Sequence, residues 1–170
     1  MGRKGWHERG YLPHFDGYDV SQHVVFRLHD AVPPGSIEGD DILDQGLGCA
    51  LLGDAICAEI VARSLLFHDN QRYVLAAWCV MPNHVHVLLT TKQEFELGAV
   101  IRTWKQFSAN QINKALGRSG GLWAADYFDR YMRDQTQFET AARYIEMNPV
   151  SAGLCSRPAD WRFSSAGWMD

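Results

Sequence analysis

The pattern of apolar and polar residues along this chain predicts seven elements. Strands are indicated where β-branched and aromatic residues cluster between turn residues, and helices where apolar residues recur every three or four positions. The predicted elements are a strand at 21–29, a helix at 51–67, strands at 73–81 and 84–89, a helix at 97–116, a strand at 127–133 and a helix at 137–147. This order is typical of the ferredoxin-like α+β fold, an antiparallel sheet with helices on one face.

Several local features sharpen this prediction. The run 73–81 is apolar throughout, which favours a central strand covered on both faces. Pro82 and Asn83 then form a tight turn, so that His84 begins the next strand of a hairpin. Thr136 and Glu139 form a capping box for the last helix, and Pro149 is expected to end that helix near Met147. The acidic stretch 35–48 is interpreted as a solvated loop or the frayed start of a helix, without a function.

Composition limits the class of protein. With 46% hydrophobic and 12% aromatic residues, the 170-residue chain is expected to form one domain spanning residues 1–170. The four cysteines are irregularly spaced, and no apolar stretch is long enough to cross a bilayer. We therefore expect a soluble cytoplasmic protein with reduced thiols, no targeting segment and no contact with a membrane.

The formal net charge of −4 argues against a nucleic-acid partner, but the charge is unevenly distributed. Residues 1–97 hold seven Lys or Arg and 13 Asp or Glu, whereas residues 98–170 hold nine and seven. No acidic residue occurs from Gly98 to Ala125, where Arg102 and Lys105 lie on one helix. A local basic face is therefore compatible with the acidic total.

Two histidines are the first candidates for chemistry. His84 and His86 are two residues apart on a predicted strand, so both imidazoles project from the same face and can converge on a divalent cation. Two imidazoles leave the coordination incomplete, and a third protein ligand must come from elsewhere. A pair of hydrogen-bonded histidines without a metal is the alternative interpretation.

Tyr144 and Asn148 are the second pair of candidates. Their spacing of four places them one turn apart on one face of the last helix, which could deliver a phenol and an amide oxygen to the open face of the sheet. Tyr144 could equally be a packing residue of an amphipathic helix, and Asn148 a helix cap.

Two long segments resemble a known family. WCVMPNHVHVLL at residues 78–89 is similar to the HUH segment of the REP-associated tyrosine transposases, a branch of the single-tyrosine insertion-sequence transposases, and RYIEMNPVSAGL at residues 143–154 resembles that family's tyrosine helix. Residues 24–27, 122–134 and 161–165 resemble it as well. The chain departs from the family in its acidic total charge.

The resemblance implies cleavage and rejoining of single-stranded DNA near a hairpin, with a 5′-phosphotyrosine intermediate and a free 3′-hydroxyl. It makes Tyr144 the nucleophile, His84 and His86 metal ligands, and Asn148 the third ligand. The expected cofactor is Mg²⁺ or Mn²⁺, without a nucleotide, in a monomer or homodimer. The candidate phosphate contacts are Arg102, Lys105, Arg130 and Arg133. A domesticated DNA- or RNA-binding module and a hydrolase that activates water are the competing hypotheses.

Overall fold

The computed structural model describes residues 5–8 and 13–170. The basic first residues, 1–4, on which the expected lack of a targeting segment partly rested, lie outside this range. The six strands are β1 (Gly5–Glu8), β2 (Pro13–Asp16), β3 (Ser21–Arg27), β4 (Tyr73–Val80), β5 (His84–Thr91) and β6 (Phe128–Tyr131). The helices are α1 (Asp40–Leu43), α2 (Ala55–Leu66), α3 (Leu97–Leu116) and α4 (Gln135–Ser151), with short 3₁₀ turns at Leu51–Gly53 and Pro158–Asp160. None of the described helices is long and apolar enough to span a membrane.

The centre of the fold is a four-stranded antiparallel sheet in the order β4-β5-β3-β6. Together with α2 and α3 it gives the predicted β-α-β-β-α-β order, followed by α4, so the α+β class and the hairpin that starts β5 at His84 are confirmed. The turn is closed by Met81 N–H, which donates to His84 O at 2.8 Å. Gly117 ends α3 in the left-handed conformation, with φ of 61°.

The two faces of the sheet are covered differently. Alternate side chains of β5 (Val85, Val87 and Leu89) belong to the main core with α2 and α3. The intervening residues His84, His86 and Leu88 face the other way, and there Leu88 packs in a smaller cluster with Ile145 of α4. The two helices of the ferredoxin-like unit thus share one face, and α4 lies on the opposite one.

The apolar run at β4 does not form a central strand. The prediction was wrong because β4 is an edge strand of the sheet, and its Val74 side chain is 44% exposed. The second half of the run is covered by the end of the chain: Val80 N–H donates to Phe163 O, and Ser165 N–H donates to Trp78 O, both at 2.8 Å. An irregular segment therefore takes the place of the neighbouring strand that the run had suggested.

Both predicted ends of α4 are also wrong. Asp134 rather than Thr136 caps the helix, because its carboxylate accepts from Gln137 N–H at 2.8 Å. Pro149 lies inside the helix, which runs to Ser151. Proline removes one N–H donor, but Ala152 N–H donates to Asn148 O at 2.9 Å and the helical turn continues past it.

The hydrophobic pattern did not predict two further elements. The acidic stretch contains α1, whose Leu43 is 2% exposed and belongs to the main core, so this stretch is not a free loop. The β1–β2 hairpin was not predicted either. It is tied to the sheet by His14, whose ring nitrogens lie 2.5 Å from Asp129 Oδ1 and 2.8 Å from Asp126 Oδ1.

Candidate active site on the open face of the sheet

The first residues of β5 bring two imidazoles together. His84 and His86 project from the same face of the strand, both with no exposed surface, and their Nε2 atoms are 3.1 Å apart. The pairing that the spacing predicted is therefore present. It lies beneath α4 and α1 rather than on an exposed strand surface.

Each imidazole is oriented by a neighbour. Asn83 Oδ1 lies 2.7 Å from His84 Nδ1, and because an amide oxygen only accepts, His84 carries its proton on Nδ1 and directs an Nε2 lone pair at His86. His23 Nε2 lies 3.0 Å from His86 Nδ1. Both Nε2 atoms are thus held in place from behind, as is usual for histidines that bind metals.

His23 was missed by the sequence analysis. It lies in β3, which pairs with β5 in a register that sets Val25 opposite His86 and His23 opposite Leu88. The period of two would have assigned His23 to one face of its strand, but only the sheet order shows that β5 is the neighbour.

Burial keeps all three imidazoles neutral. It lowers the pKa of His84 to about 3 and that of His23 to about 4, and it lowers the pKa of His86 well below the ordinary value. Neutral imidazole is the form that donates a lone pair to a cation. None of the three imidazoles therefore carries a positive charge at neutral pH that would repel a cation.

The donor set fits a divalent cation. Two nitrogen ligands about 2.1 Å from an octahedral ion are about 3.0 Å apart, close to the 3.1 Å between the two Nε2 atoms. Among the described residues no group of three His, Cys, Asp or Glu side chains could hold a metal ion by itself, which leaves a side-chain amide as a candidate third ligand. Asn148 is 1% exposed, and its Oδ1 accepts no hydrogen bond within the described structure.

Helix α4 places Tyr144 against these histidines. Its ring centroid is 5.8 Å from that of His86 and 6.1 Å from that of His23, and the side chain is 41% exposed. Asn148 follows one turn later on the same helix. The structure therefore brings Tyr144 to both His86 and the solvent, as a nucleophile requires.

The acidic segment reaches the same place. The Tyr144 hydroxyl donates to the Asp40 carboxylate, and Asp44 Oδ1 lies 3.7 Å from His84 Nε2. Burial, with the neighbouring Asp40 and Asp41, raises the pKa of Asp44 to about 6, so its contact with the neutral His84 is not a strong ion pair. Burial and the bond to Asp40 likewise raise the pKa of Tyr144. The sequence pattern did not predict these contacts, because each joins residues that are far apart along the chain.

A cleft of about 480 Å³ opens beside Tyr144. Arg130 of β6 lies in it, directly across from His23 in the strand register, and Phe128 provides an exposed aromatic surface that is 44% accessible. Thr136, Gln137 and Thr140 of α4 line the rest with polar groups. The cleft thus combines the Arg130 cation and the Asp40 carboxylate with aromatic rings and several hydrogen-bonding side chains.

The other predicted phosphate contacts lie elsewhere. Arg102 and Lys105 belong to α3, on the face of the sheet opposite the histidines. Lys105 Nζ donates to the carbonyls of Ala124 and Asp126, both at 2.9 Å, and burial lowers its pKa to about 8. Arg133 is exposed just before α4. Of the four basic residues, the structure thus brings Arg130 to the site.

Comparisons with known proteins identify the family of this chain. Residues 59–148 match the family described as "Transposase IS200 like", a match that contains both β5 histidines, Tyr144 and Asn148. A putative REP-associated tyrosine transposase of Haemophilus influenzae is 26% identical over 107 residues, which cover 57% of this chain and 61% of that protein. The chain therefore spans less than two thirds of the length of this curated relative.

One solved structure shows the same fold. A REP-associated tyrosine transposase bound to a REP hairpin superposes with a TM-score of 0.66 at 18% identity, covering 92% of this chain and 82% of that one. A putative transposase from Deinococcus radiodurans covers 84% of this chain and 96% of its own, with a TM-score of 0.46 and 19% identity. The resemblance inferred from the sequence is confirmed, since the family match spans more than half of the chain. The chain belongs to the IS200-like transposase family.

Proposed function

We propose that this chain cleaves and rejoins single-stranded DNA near hairpins, with Tyr144 as the nucleophile and a 5′-phosphotyrosine as the intermediate. The observation that carries the proposal is the position of the Tyr144 ring, 5.8 Å from the ring of His86, beside the paired Nε2 atoms. A phenol that served only in packing would not need to be 41% exposed next to two buried, neutral imidazoles.

The proposed cofactor is Mg²⁺ or Mn²⁺, bound by His84, His86 and Asn148. Once bound, such an ion polarises the scissile phosphate and stabilises the departing 3′-oxygen. The protein supplies the rest: Asn83 and His23 fix the imidazoles from behind, and α4 carries Tyr144 at a set distance from the ligands. A phenol with a pKa of about 10 is a poor nucleophile by itself, so positioning and proton removal both matter.

The substrate is proposed to enter through the cleft beside Tyr144. Arg130 is suited to hold a phosphate next to the scissile one, and Phe128 presents an aromatic surface on which an unpaired base can stack. The solved relative bound to a REP hairpin supports DNA hairpins as the class of substrate. A nucleotide cofactor is not needed, because the phosphodiester energy is kept in the tyrosine ester.

Covalent capture of DNA tests the nucleophile. A library of end-labelled single-stranded hairpins is incubated with the protein and Mn²⁺ and separated on a denaturing gel. The parent should give a protein band that carries DNA, and Tyr144→Phe should reduce it to background while DNA and Mn²⁺ binding persist. Tyr131→Phe is the matched control, since Tyr131 packs against Phe15 away from the histidines.

Each result of that experiment is informative. An adduct that survives in Tyr144→Phe would assign the nucleophile to another residue. Cleaved DNA without any adduct would favour a hydrolase that activates water. DNA binding without cleavage would favour the second candidate function, a DNA-binding module that no longer cuts. One observation supports this candidate: the carboxylates of Asp40 and Asp44 lie where a phosphate would have to approach.

A further inference from the structure

We propose that Asp40 is a catalytic residue, the group that takes the proton from Tyr144 during DNA cleavage and returns it during rejoining. This inference rests on the proposed function, because it requires Tyr144 to be the nucleophile. Its basis is a direct contact: the Tyr144 hydroxyl donates a hydrogen bond to Asp40 Oδ2. Asp40 also lines the cleft through which the substrate is proposed to enter.

The position of Asp40 is fixed by the protein core. Asp40 is the first residue of α1, and Leu43, at the end of the same short helix, is 2% exposed in the main core. On either side of α1 the segment is tied down: Arg27 Nε donates to Glu38 Oε1 at 2.9 Å, and Asn83 Nδ2 donates to Leu47 O at 3.2 Å. The carboxylate therefore approaches Tyr144 on an anchored segment rather than on a free loop.

The neighbouring imidazoles are already engaged. His86 lies within hydrogen-bond distance of His84 through Nε2 and of His23 through Nδ1. His23 uses its own Nε2 in the second contact. The Tyr144 ring meets His86 and His23 only through ring contacts, with centroids 5.8 Å and 6.1 Å away, whereas its hydroxyl already donates a hydrogen bond to Asp40. The existing path for the phenolic proton therefore leads to Asp40.

The proposed transfer balances in both directions. In cleavage, the bond from the Tyr144 oxygen to phosphorus forms, the bond from phosphorus to the 3′-oxygen breaks, and the phenolic proton moves to Asp40. The 3′-oxygen leaves with the electron pair and takes a proton from water. In rejoining, a 3′-hydroxyl attacks the phosphotyrosine and gives its proton to water, while protonated Asp40 returns a proton to the departing phenolate.

The test is Asp40→Asn, which retains a side-chain oxygen able to accept from the Tyr144 hydroxyl but cannot take up its proton at neutral pH. We expect single-turnover adduct formation to slow by about 10²-fold or more, with Mn²⁺ affinity unchanged. Asp41→Asn is the matched control: it removes one charge from the next residue of α1, which is exposed, and should leave the rate unchanged.

Two outcomes would overturn the proposal. An unchanged rate in Asp40→Asn would reduce Asp40 to a packing or positioning contact. A faster rate, or tighter DNA binding with unchanged chemistry, would make the carboxylate an electrostatic barrier instead. These results differ from failure of the proposed function, in which the parent itself forms no adduct at Tyr144.

Chemical rescue gives a second measurement. Asp40→Ala leaves space beside the Tyr144 hydroxyl, and added acetate should restore part of the lost rate in proportion to its concentration. Tyr144→Phe should not respond to acetate. Asp40→Ala that is inactive, correctly folded by thermal melting and unresponsive to acetate would count against proton acceptance by Asp40.

Discussion

The two faces of β5 are built from alternate residues of the same strand, and they differ in nearly every physical respect. On the face that α2 and α3 cover, Val85, Val87 and Leu89 are fully packed in an apolar core. On the other face His84 and His86 are equally buried, but they contact polar groups. Burial alone therefore does not distinguish a core from a site. The difference lies in what the buried atoms can still bind.

Burial of three linked imidazoles lowers the stability of the fold, whereas burial of the apolar side chains on the face covered by α2 and α3 raises it. Polar groups withdrawn from water must regain their hydrogen bonds inside the protein, and here each histidine does so through another side chain. Such a network has few alternatives of equal energy, so it also holds the lone pairs in fixed directions. The face that is less favourable for stability is the one suited to chemistry.

The contrast between the two faces of β5 should be largest for substitutions at adjacent residues of the strand. His86→Ala should reduce Mn²⁺ affinity by at least about 100-fold and abolish adduct formation, because it removes a ligand and the partner of two other imidazoles. Val87→Ala, one residue later on the opposite face, should lower the free energy of unfolding by about 2 kcal/mol through the loss of two buried methyl groups. Its Mn²⁺ affinity should remain within about two-fold of the parent.

Isothermal titration with Mn²⁺ and urea unfolding measure the two quantities on the same variants. If Val87→Ala weakened Mn²⁺ binding as strongly as His86→Ala, the two faces would not be functionally separate. Retained Mn²⁺ affinity in His86→Ala would remove β5 from the metal site altogether.

A smaller effect is expected at His23, which contacts a proposed ligand without being one. His23→Leu keeps an apolar body in place but leaves His86 Nδ1 without its partner, so Mn²⁺ affinity should fall about 10-fold to 100-fold. Cleavage at saturating Mn²⁺ should recover much of the loss. Titration of cleavage against Mn²⁺ checks this, and a loss that no concentration of Mn²⁺ restores would assign His23 a direct part in the reaction.

The smallest effect concerns DNA binding by the two faces. Arg130→Ala should reduce the slope of log affinity against log salt concentration by roughly one unit, as for one lost phosphate contact. Arg102→Ala removes the same charge from α3, on the other side of the sheet, and should leave the slope nearly unchanged if DNA occupies the cleft. Fluorescence anisotropy over a salt series distinguishes them. A larger change of slope in Arg102→Ala than in Arg130→Ala would place the DNA on the face covered by α2 and α3. That result would support the basic face indicated by the sequence.

Local periodicity in the sequence predicted much of the fold. The spacing of two that places His84 and His86 on one face, and the apolar repeat that predicts a helix at 97–116, need no knowledge of distant residues, and both predictions hold. The position of β4 could not be obtained in this way. Its apolar run reflects cover by the end of the chain, and the sequence does not show which of two possible neighbours a buried strand has.

The missing parts of the candidate site share one cause. His23 and Asp40 reach it across the sheet and across a loop, so no motif contains them. The acidic stretch looked solvated because its charges dominate the composition, whereas the buried side chain of Leu43 anchors the segment in the core. Such residues become visible once strand order and loop anchoring are known.

Asn83 joins the acidic segment to the histidine pair through the two ends of one amide. Its oxygen faces His84 Nδ1, while its nitrogen donates to Leu47 O. Turning the amide over would exchange donor and acceptor and break both bonds, so the two contacts are kept or lost together. Binding of the proposed cation at His84 would therefore be linked to docking of the acidic segment. The factor by which docking of the segment raises cation affinity would equal the factor by which the cation favours docking.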